Sequence, residues 1–187
     1  MSDTNNKSSK SNDTIQLDSK TEAVFRRKGY RIEKKLNEGT FGQVYKGRRT
    51  TTQELVAIKV MDLTAVGEKF KQKFLPREIA ALIGIKHDHV IYIHDIIRAN
   101  NRIYIFMEFA GNGDISNYRK KNKGIEEGRA CRWFWQVAQG LAFLHDTLYT
   151  SHRDIKLGNM LLGNHIVITH WSTEFPQFVC VFPPDGN

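Results

Sequence analysis

The octapeptide HRDIKLGN, residues 152–159, gathers the residue types that phosphoryl transfer requires. Asp154 would accept or orient the proton of an attacking hydroxyl, and Lys156 would neutralise charge on the phosphoryl group. Asn159, five positions after Asp154, would bind magnesium through its side-chain oxygen. The structural alternative, a polar loop around a buried histidine, is disfavoured because the octapeptide also follows an amphipathic helix.

A second candidate group pairs Lys59, at the end of VAIK, with Glu78, which lies 78 − 59 = 19 residues further on. Alone, a lysine that alternates with apolar residues on a strand is best explained as a solvent-facing side chain. The spacing to Glu78 instead fits a strand lysine that reaches the α- and β-phosphates of a nucleotide while a helix carboxylate holds it in place.

The third candidate is the glycine-containing stretch LNEGTFGQVY, residues 36–45, between the first two predicted strands. Glycines let the main chain approach phosphates closely, so that its N–H groups can point at the charge. By itself the stretch is better explained as a plain hairpin turn. A nucleotide-binding loop would have glycine where this chain has Asn37, and asparagine is the other residue that tolerates positive φ.

The hydrophobic pattern predicts the elements that position these groups. Alternating residues predict strands at 30–39, 42–49 and 54–63, and two more around a turn at Ala99–Asn101. Helical spacing predicts one helix within 69–85, a short one within 111–123, and a longer one at 126–147. The longer helix is predicted to bury a stripe of residues at three- and four-residue intervals, namely Ala130, Phe134, Val137, Leu141 and Leu144. A hairpin follows the octapeptide, with its turn at Gly163–Asn164. The fold class is therefore α+β.

Composition limits the other function classes. The 28 Lys and Arg against 20 Asp and Glu give a net charge of +8, but the basic residues are dispersed and predict no nucleic-acid interface. No apolar run is long enough to span a membrane, and the polar N-terminus predicts no signal peptide. Cys131 and Cys180 fit a reducing compartment, so a cytoplasmic location is expected. Residues 1–25, which are mostly polar, are predicted to be a disordered tail.

Taken together, these segments resemble the eukaryotic protein kinase family in order, spacing and context, from about Tyr30 to Leu162. RRKGY and KFLPREI are most similar to the testis-specific serine/threonine kinase branch. The resemblance implies a complete N-lobe with hinge at 26–110, made of a five-stranded antiparallel sheet and one helix. It implies a partial helical C-lobe at 111–169, followed by a divergent tail at 170–187.

The resemblance also implies a site for ATP and Mg²⁺ and a protein Ser/Thr substrate. Lys156, directly after HRDI, is the form seen in serine/threonine kinases. Met107 would close the back of the nucleotide pocket, and the Glu108 carbonyl and the Ala110 N–H would bind the adenine edge. Asp114 would reach the ribose. The remaining nucleotide-binding positions would be Leu36, Asn37, Gly39, Gly42, Val44, Ala57 and Leu161, with Lys59 on the phosphates.

The resemblance fails after the hairpin. His170-Trp171-Ser172 stands where the family has a metal-binding Asp-Phe-Gly triplet, and imidazole is a poor magnesium ligand. No activation segment or substrate-docking helices follow. We therefore expect a serine/threonine kinase domain in truncated form with weak or no activity. The alternative is a kinase-like fragment that binds nucleotide, or a partner on the exposed face of the 127–147 helix, without catalysis.

Overall fold

The computed structural model describes residues 17–39, 42–64, 83–152 and 154–169. Its main feature is a five-stranded antiparallel sheet with the strand order β1-β2-β3-β5-β4, which confirms the predicted N-lobe sheet. The strands are β1 (Tyr30–Gly39), β2 (Gly42–Arg49), β3 (Leu55–Asp62), β4 (Ile93–Ala99) and β5 (Arg102–Glu108). The predicted helix at 69–85 lies almost entirely outside the described residues.

The two central strands, β3 and β5, carry the core of the sheet. Their side chains alternate between two hydrophobic clusters, one on each face. One cluster contains Ile58, Val60 and Phe106, whereas the other contains Ala57 and Met107. Because both faces are buried, the register of β3 is fixed, and with it the face on which Lys59 lies.

A helix precedes the sheet, which corrects part of the predicted disordered tail. Helix α1 (Ser19–Lys28) begins at Asp18, whose side chain accepts hydrogen bonds from the N–H groups of Lys20 and Thr21, and it ends at Gly29 with a φ of 76°. The prediction of disorder for residues 1–25 is therefore wrong from Ser19 onward. The helix is ordered because Phe25 packs edge-on against Tyr104 and Phe106, with ring centroids 4.9 and 5.0 Å away.

The second half of the chain is helical except for one hairpin. It contains α2 (Ile115–Asn122), α3 (Glu127–Ala142), a π-helical turn (Phe143–Thr147), a 3₁₀ turn (Leu157–Asn159), β6 (Met160–Leu162) and β7 (Ile166–Ile168). Val137 and Leu144 are buried as the predicted stripe requires, but Phe134 is 76% exposed. The stripe prediction is therefore wrong at Phe134. Within the described part of the chain, no helix is long and apolar enough to cross a bilayer.

The sheet and the helical half meet where residues 89–91 run beside β7. The N–H of Ile91 donates to the Ile168 carbonyl, and the N–H of Ile168 donates to the His89 carbonyl, both at 3.0 Å. Helix α3 packs against the same segment at Gly140, where a Cβ would lie 2.7 Å from the His89 oxygen. Only glycine allows this approach without a shift of the main chain.

We expect Phe25→Ala to lower the free energy of unfolding by about 3–5 kcal/mol, because it removes a ring that is 2% exposed. Urea denaturation of the full chain measures the effect. The matched control is Arg27→Ala, an exposed position on the same helix, which should change stability little. Equal stability of the two variants would contradict the packing of α1 on the sheet.

Gly140→Ala should destabilise the fold by about 1–3 kcal/mol, because the added methyl group meets the His89 carbonyl. The loss should exceed the gain of about 1 kcal/mol that alanine brings as the better helix former. Gly158→Ala is the control, since its Cβ would meet nothing within 4 Å. Thermal unfolding of both variants measures the difference, and a higher melting temperature for Gly140→Ala would rule out this close contact.

Candidate functional site

The octapeptide forms a loop in which side chains converge on the Asp154 carboxylate. Its Oδ2 accepts hydrogen bonds from the Asn159 Nδ2 at 2.7 Å and lies 3.0 Å from the Lys156 Nζ. Asn159 also donates to the Asp154 carbonyl at 2.9 Å. The structure thus brings three of the predicted residues together and fixes the orientation of the carboxylate.

Asn159 is 5% exposed. Its hydrogen bonds determine whether its side-chain oxygen, Oδ1, is available to bind a cation. The side-chain nitrogen donates twice to Asp154, so Oδ1 points away from that contact. Among the described residues, none donates a hydrogen bond to this oxygen. An amide oxygen held in this way is a suitable ligand for a hard cation such as Mg²⁺.

His152 holds the main chain of the octapeptide loop at Asp154. The sequence did not reveal this role. His152 is buried, and its Nδ1 accepts a hydrogen bond from the Asp154 N–H at 3.2 Å. Burial lowers the pKa of His152, while the Thr169 main chain and the Asp154 charge partly offset this. The imidazole is therefore neutral at neutral pH, and it acts as an acceptor that holds the main chain of Asp154.

Lys59 lies on β3 and is partly buried. Burial lowers the pKa of Lys59 from 10.5 to about 8; the negative charge of Asp154 opposes this change, and the positive charge of Lys156 adds to it. Asp154 and Lys156 belong to the octapeptide loop, so their effects on the pKa place Lys59 within electrostatic reach of that loop. A partly buried ammonium group is suited to bind an anionic phosphate.

The predicted adenine-binding residues form one apolar surface, with one exception. Ala57 and Met107 belong to a single buried cluster, and Val44 and Leu161 pack against it from β2 and β6. Leu36 is 42% exposed on β1 and is not part of this cluster. Residues from four strands, β2, β3, β5 and β6, therefore form a surface that can accept a flat, apolar group.

The connection between the sheet and α2 is anchored at Glu108. Its N–H donates to the Tyr92 carbonyl and its side-chain Oε1 accepts from the Tyr92 N–H, each at 3.0 Å. Burial raises the pKa of Glu108. The chain leaves the sheet after Glu108, and the Ala110 N–H donates to no described residue. A main-chain donor is thus available at the edge of the apolar surface.

Asp114 has a structural role beside its predicted one. It caps α2: Oδ1 accepts from the Asn117 N–H at 2.8 Å, and Oδ2 accepts from the Asn117 side-chain amide at 2.6 Å. An isolated bridge to Leu161 places it next to the adenine-binding surface. A carboxylate has about four acceptor sites, so the predicted ribose contact stays compatible with the cap.

In the glycine-containing stretch, Gly39 of β1 pairs with Gly42 of β2. A Cβ at Gly42 would lie 2.4 Å from the Val60 carbonyl, so this glycine is required for packing on β3. Asn37 does not need positive φ. It lies in extended β1 at a register shift, and its Oδ1 accepts from the Glu38 N–H at 2.8 Å.

Two predicted residues lie outside the described part of the chain, namely Glu78 and His170. Within the described part, no group of three or more His, Cys, Asp or Glu side chains could hold a metal ion. Asn159 is therefore the one predicted metal ligand that the structure places.

Comparison with known proteins shows which sequences this chain is similar to. The sequence model of the protein kinase domain matches residues 30–171. The chain is 34% identical over 134 residues to human testis-specific serine/threonine-protein kinase 4, covering 72% of this chain and 40% of the human protein. It is 35% identical to CBL-interacting protein kinase 30 of Oryza sativa subsp. japonica, covering 71% of this chain and 28% of the rice protein. It is 33% identical to the carbon catabolite-derepressing protein kinase of Saccharomyces cerevisiae, covering 73% and 21%. The chain therefore spans less than half the length of these relatives.

We expect the Lys59 amine to lose its proton near pH 8, because burial disfavours its charge. Acylation of the amine by an activated ester, followed by mass spectrometry across a pH series, measures the midpoint. Asp154→Asn should move the midpoint down and Lys156→Gln should move it up, because these charges raise and lower the pKa of Lys59 respectively. A midpoint near the ordinary value of 10.5 would show that the amine is not buried.

Proposed function

Because the chain belongs to the protein kinase domain family, we propose that it binds MgATP and carries the nucleotide-binding and catalytic-loop parts of a serine/threonine protein kinase. The observation that supports this most directly is the Asp154 carboxylate, held by Asn159 and Lys156 and electrostatically coupled to Lys59. Such a carboxylate orients a hydroxyl nucleophile at one end of a phosphate-binding cleft.

Each residue has a defined part in this proposal. Asp154 accepts a hydrogen bond from the Ser or Thr hydroxyl of a protein substrate and takes its proton as the oxygen attacks. Lys156, whose side chain is 42% exposed, contributes positive charge near the phosphoryl group. Lys59 binds the α- and β-phosphates, with Glu78 as its proposed partner. MgATP supplies the phosphoryl group that is transferred.

Asn159 is the one proposed magnesium ligand on the described residues, and it is neutral. A magnesium site usually includes at least one carboxylate, and the sequence has His170 where the family has the second ligand. We therefore propose that this chain binds ATP more readily than it binds the accompanying metal, and that its own phosphoryl-transfer activity is weak.

A second candidate function is partner binding without catalysis. The observation in favour is the pair Phe134 and Trp135 on α3, which are 76% and 65% exposed. Neighbouring aromatic side chains that are exposed to solvent are typical of surfaces that bind other proteins.

We propose that either function operates in the cytoplasm. Cys131 is a free, exposed thiol, which is compatible with a reducing compartment.

A thermal-shift titration with ATP, with and without Mg²⁺, tests the proposed nucleotide site. A ligand that binds only the folded state raises the melting temperature with concentration. We expect the full chain to respond to ATP, and Mg²⁺ to add little because the metal has one described ligand. Lys59→Met should abolish the response, since it removes the cation that binds the phosphates.

The matched control is Lys34→Met, which removes an exposed lysine from β1 of the same sheet and should leave the ATP response unchanged. Equal ATP affinity in Lys59→Met and in the unaltered chain would contradict the pocket assignment. A strong additional response to Mg²⁺ would contradict the weak metal site and would favour an active enzyme. Absence of any ATP response from a folded chain would leave partner binding as the better proposal.

A further inference from the structure

A cavity of about 790 Å³ lies between α2, α3 and the β6–β7 turn, on residues that the proposed phosphoryl-transfer site does not use. We call it the basic groove. Its charged lining residues are Lys121, Arg129 and Arg132, and none of its described lining residues is acidic. Its size is within the range of roughly 300–1,000 Å³ that is usual for ligand sites.

The carboxylates that cap the two helices of the groove, Asp114 and Glu126, are not among its lining residues. Asp114 caps α2 through Asn117. Glu126 caps α3, with its two oxygens accepting from the N–H groups of Gly128 and Arg129 at 2.6 and 2.8 Å. Arg129 and Arg132 lower the pKa of Glu126 in addition to these hydrogen bonds. Glu126 therefore partly offsets the charge of the two arginines. Among the described residues, none forms a salt bridge with Lys121, Arg129 or Arg132, so the groove keeps a net positive charge.

Arg129 is held in place before any ligand arrives. Its guanidinium lies 5.6 Å from the Tyr118 ring centre and 5.9 Å from the Trp133 ring centre, and Nη1 donates to the Tyr118 hydroxyl at 2.8 Å. The two rings pack edge to face, with centroids 5.1 Å apart. A guanidinium has five N–H donors, so donors remain for an anion, and little side-chain entropy is lost when one binds.

The rest of the lining suits a polypeptide. Leu162 and Ile166, both buried, form an apolar base. Asn112 and Asn164 line the groove as exposed residues, and their side-chain amides have no hydrogen bond to the described residues. An amide both donates and accepts, and it can therefore pair with a main-chain N–H and C=O at once.

We propose that the basic groove binds an acidic segment of a partner protein, in which carboxylates pair with Lys121, Arg129 and Arg132 and an apolar side chain contacts the base. The positive charge of the groove favours acidic residues in the bound segment. The apolar base favours an apolar residue between those acidic residues. None of the described lining residues of the groove belongs to the octapeptide loop, residues 152–159, so a segment bound in the groove need not contact Asp154.

A second cavity of similar size adjoins the basic groove and has a mixed charge. The two cavities share the lining residues Gly111, Asn112, Gly163, Asn164 and His165. It has a volume of about 770 Å³ and lies behind the connection between β5 and α2. It contains basic Arg49 and Lys86 but also acidic Glu54 and Asp88. The overall charge of +8 therefore does not make every concave surface of the described chain basic.

The aromatic residues argue against a nucleic-acid ligand. Sequence-tolerant binding of single strands depends on open aromatic faces on which bases stack. Here Tyr118 and Trp133 pack against each other, and Arg129 lies over both rings. Three cations also neutralise only a short run of phosphates.

Fluorescence anisotropy with the full chain and a short labelled peptide of alternating glutamate and leucine tests the proposal. Lys121→Glu/Arg132→Glu should weaken binding at least about tenfold, because two attractive contacts become repulsive. The matched control is Arg119→Glu/Lys120→Glu, which reverses two exposed charges on α2 outside the groove lining. It changes the net charge equally and should bind as the unaltered chain does.

Equal weakening by the two double variants would show non-specific attraction and would overturn the proposal. So would tighter binding of a single-stranded RNA of equal charge, or of vesicles that contain anionic lipid, than of the peptide. If circular dichroism shows that the charge reversal unfolds the chain, Lys121→Gln/Arg132→Gln decides the question, because it keeps most of each side chain. Reduced peptide affinity in that variant supports the groove, and unchanged affinity rules it out.

Discussion

Two main-chain hydrogen bonds between Ile168 and the segment 89–91 determine the geometry of the whole site. Lys59 comes from the sheet, whereas Asp154 and Asn159 come from the helical half, and these bonds fix one half against the other. The same strand also positions the octapeptide loop, because the N–H of the next residue, Thr169, donates to the Asn159 carbonyl at 3.0 Å. Asn159 in turn orients Asp154. Gly140 allows the contact because it has no Cβ to separate α3 from the His89 carbonyl.

The elements with a strong period could be predicted from the sequence. Strict alternation identified the strands, and Asn100 and Asn101 marked the β4–β5 turn, where both adopt positive φ as asparagine readily does. The octapeptide identified Asp154, Lys156 and Asn159, and the structure places all three in contact. In these cases the residue types and the hydrophobic period of a short segment are enough to predict its structure. The residues that determine that structure lie close together in the sequence.

What depends on distant packing could not be predicted in this way. Helix α1 is polar apart from a few positions, and its order comes from Phe25 meeting rings that lie about eighty residues further on. Local signals were nevertheless present in the Asp18 cap and in Gly29 after a basic last turn. Phe134 matches the helical period, but no described element covers that side of α3. The basic groove likewise combines two helices and a hairpin turn, and no single stretch of sequence displays it.

The connection between the two halves has a mechanical consequence. Its upper end is fixed by the Glu108–Tyr92 pair, and its lower end by bonds from the Asn112 N–H to the Leu162 carbonyl and from the Leu162 N–H to the Gly113 carbonyl. Residues 109–111 link these two anchored ends. The two halves are therefore joined at two separate places, through this connection and through the main-chain bonds of Ile168. A displacement of one half relative to the other has to strain at least one of these attachments, so the width of the cleft is set by the main chain rather than by side chains.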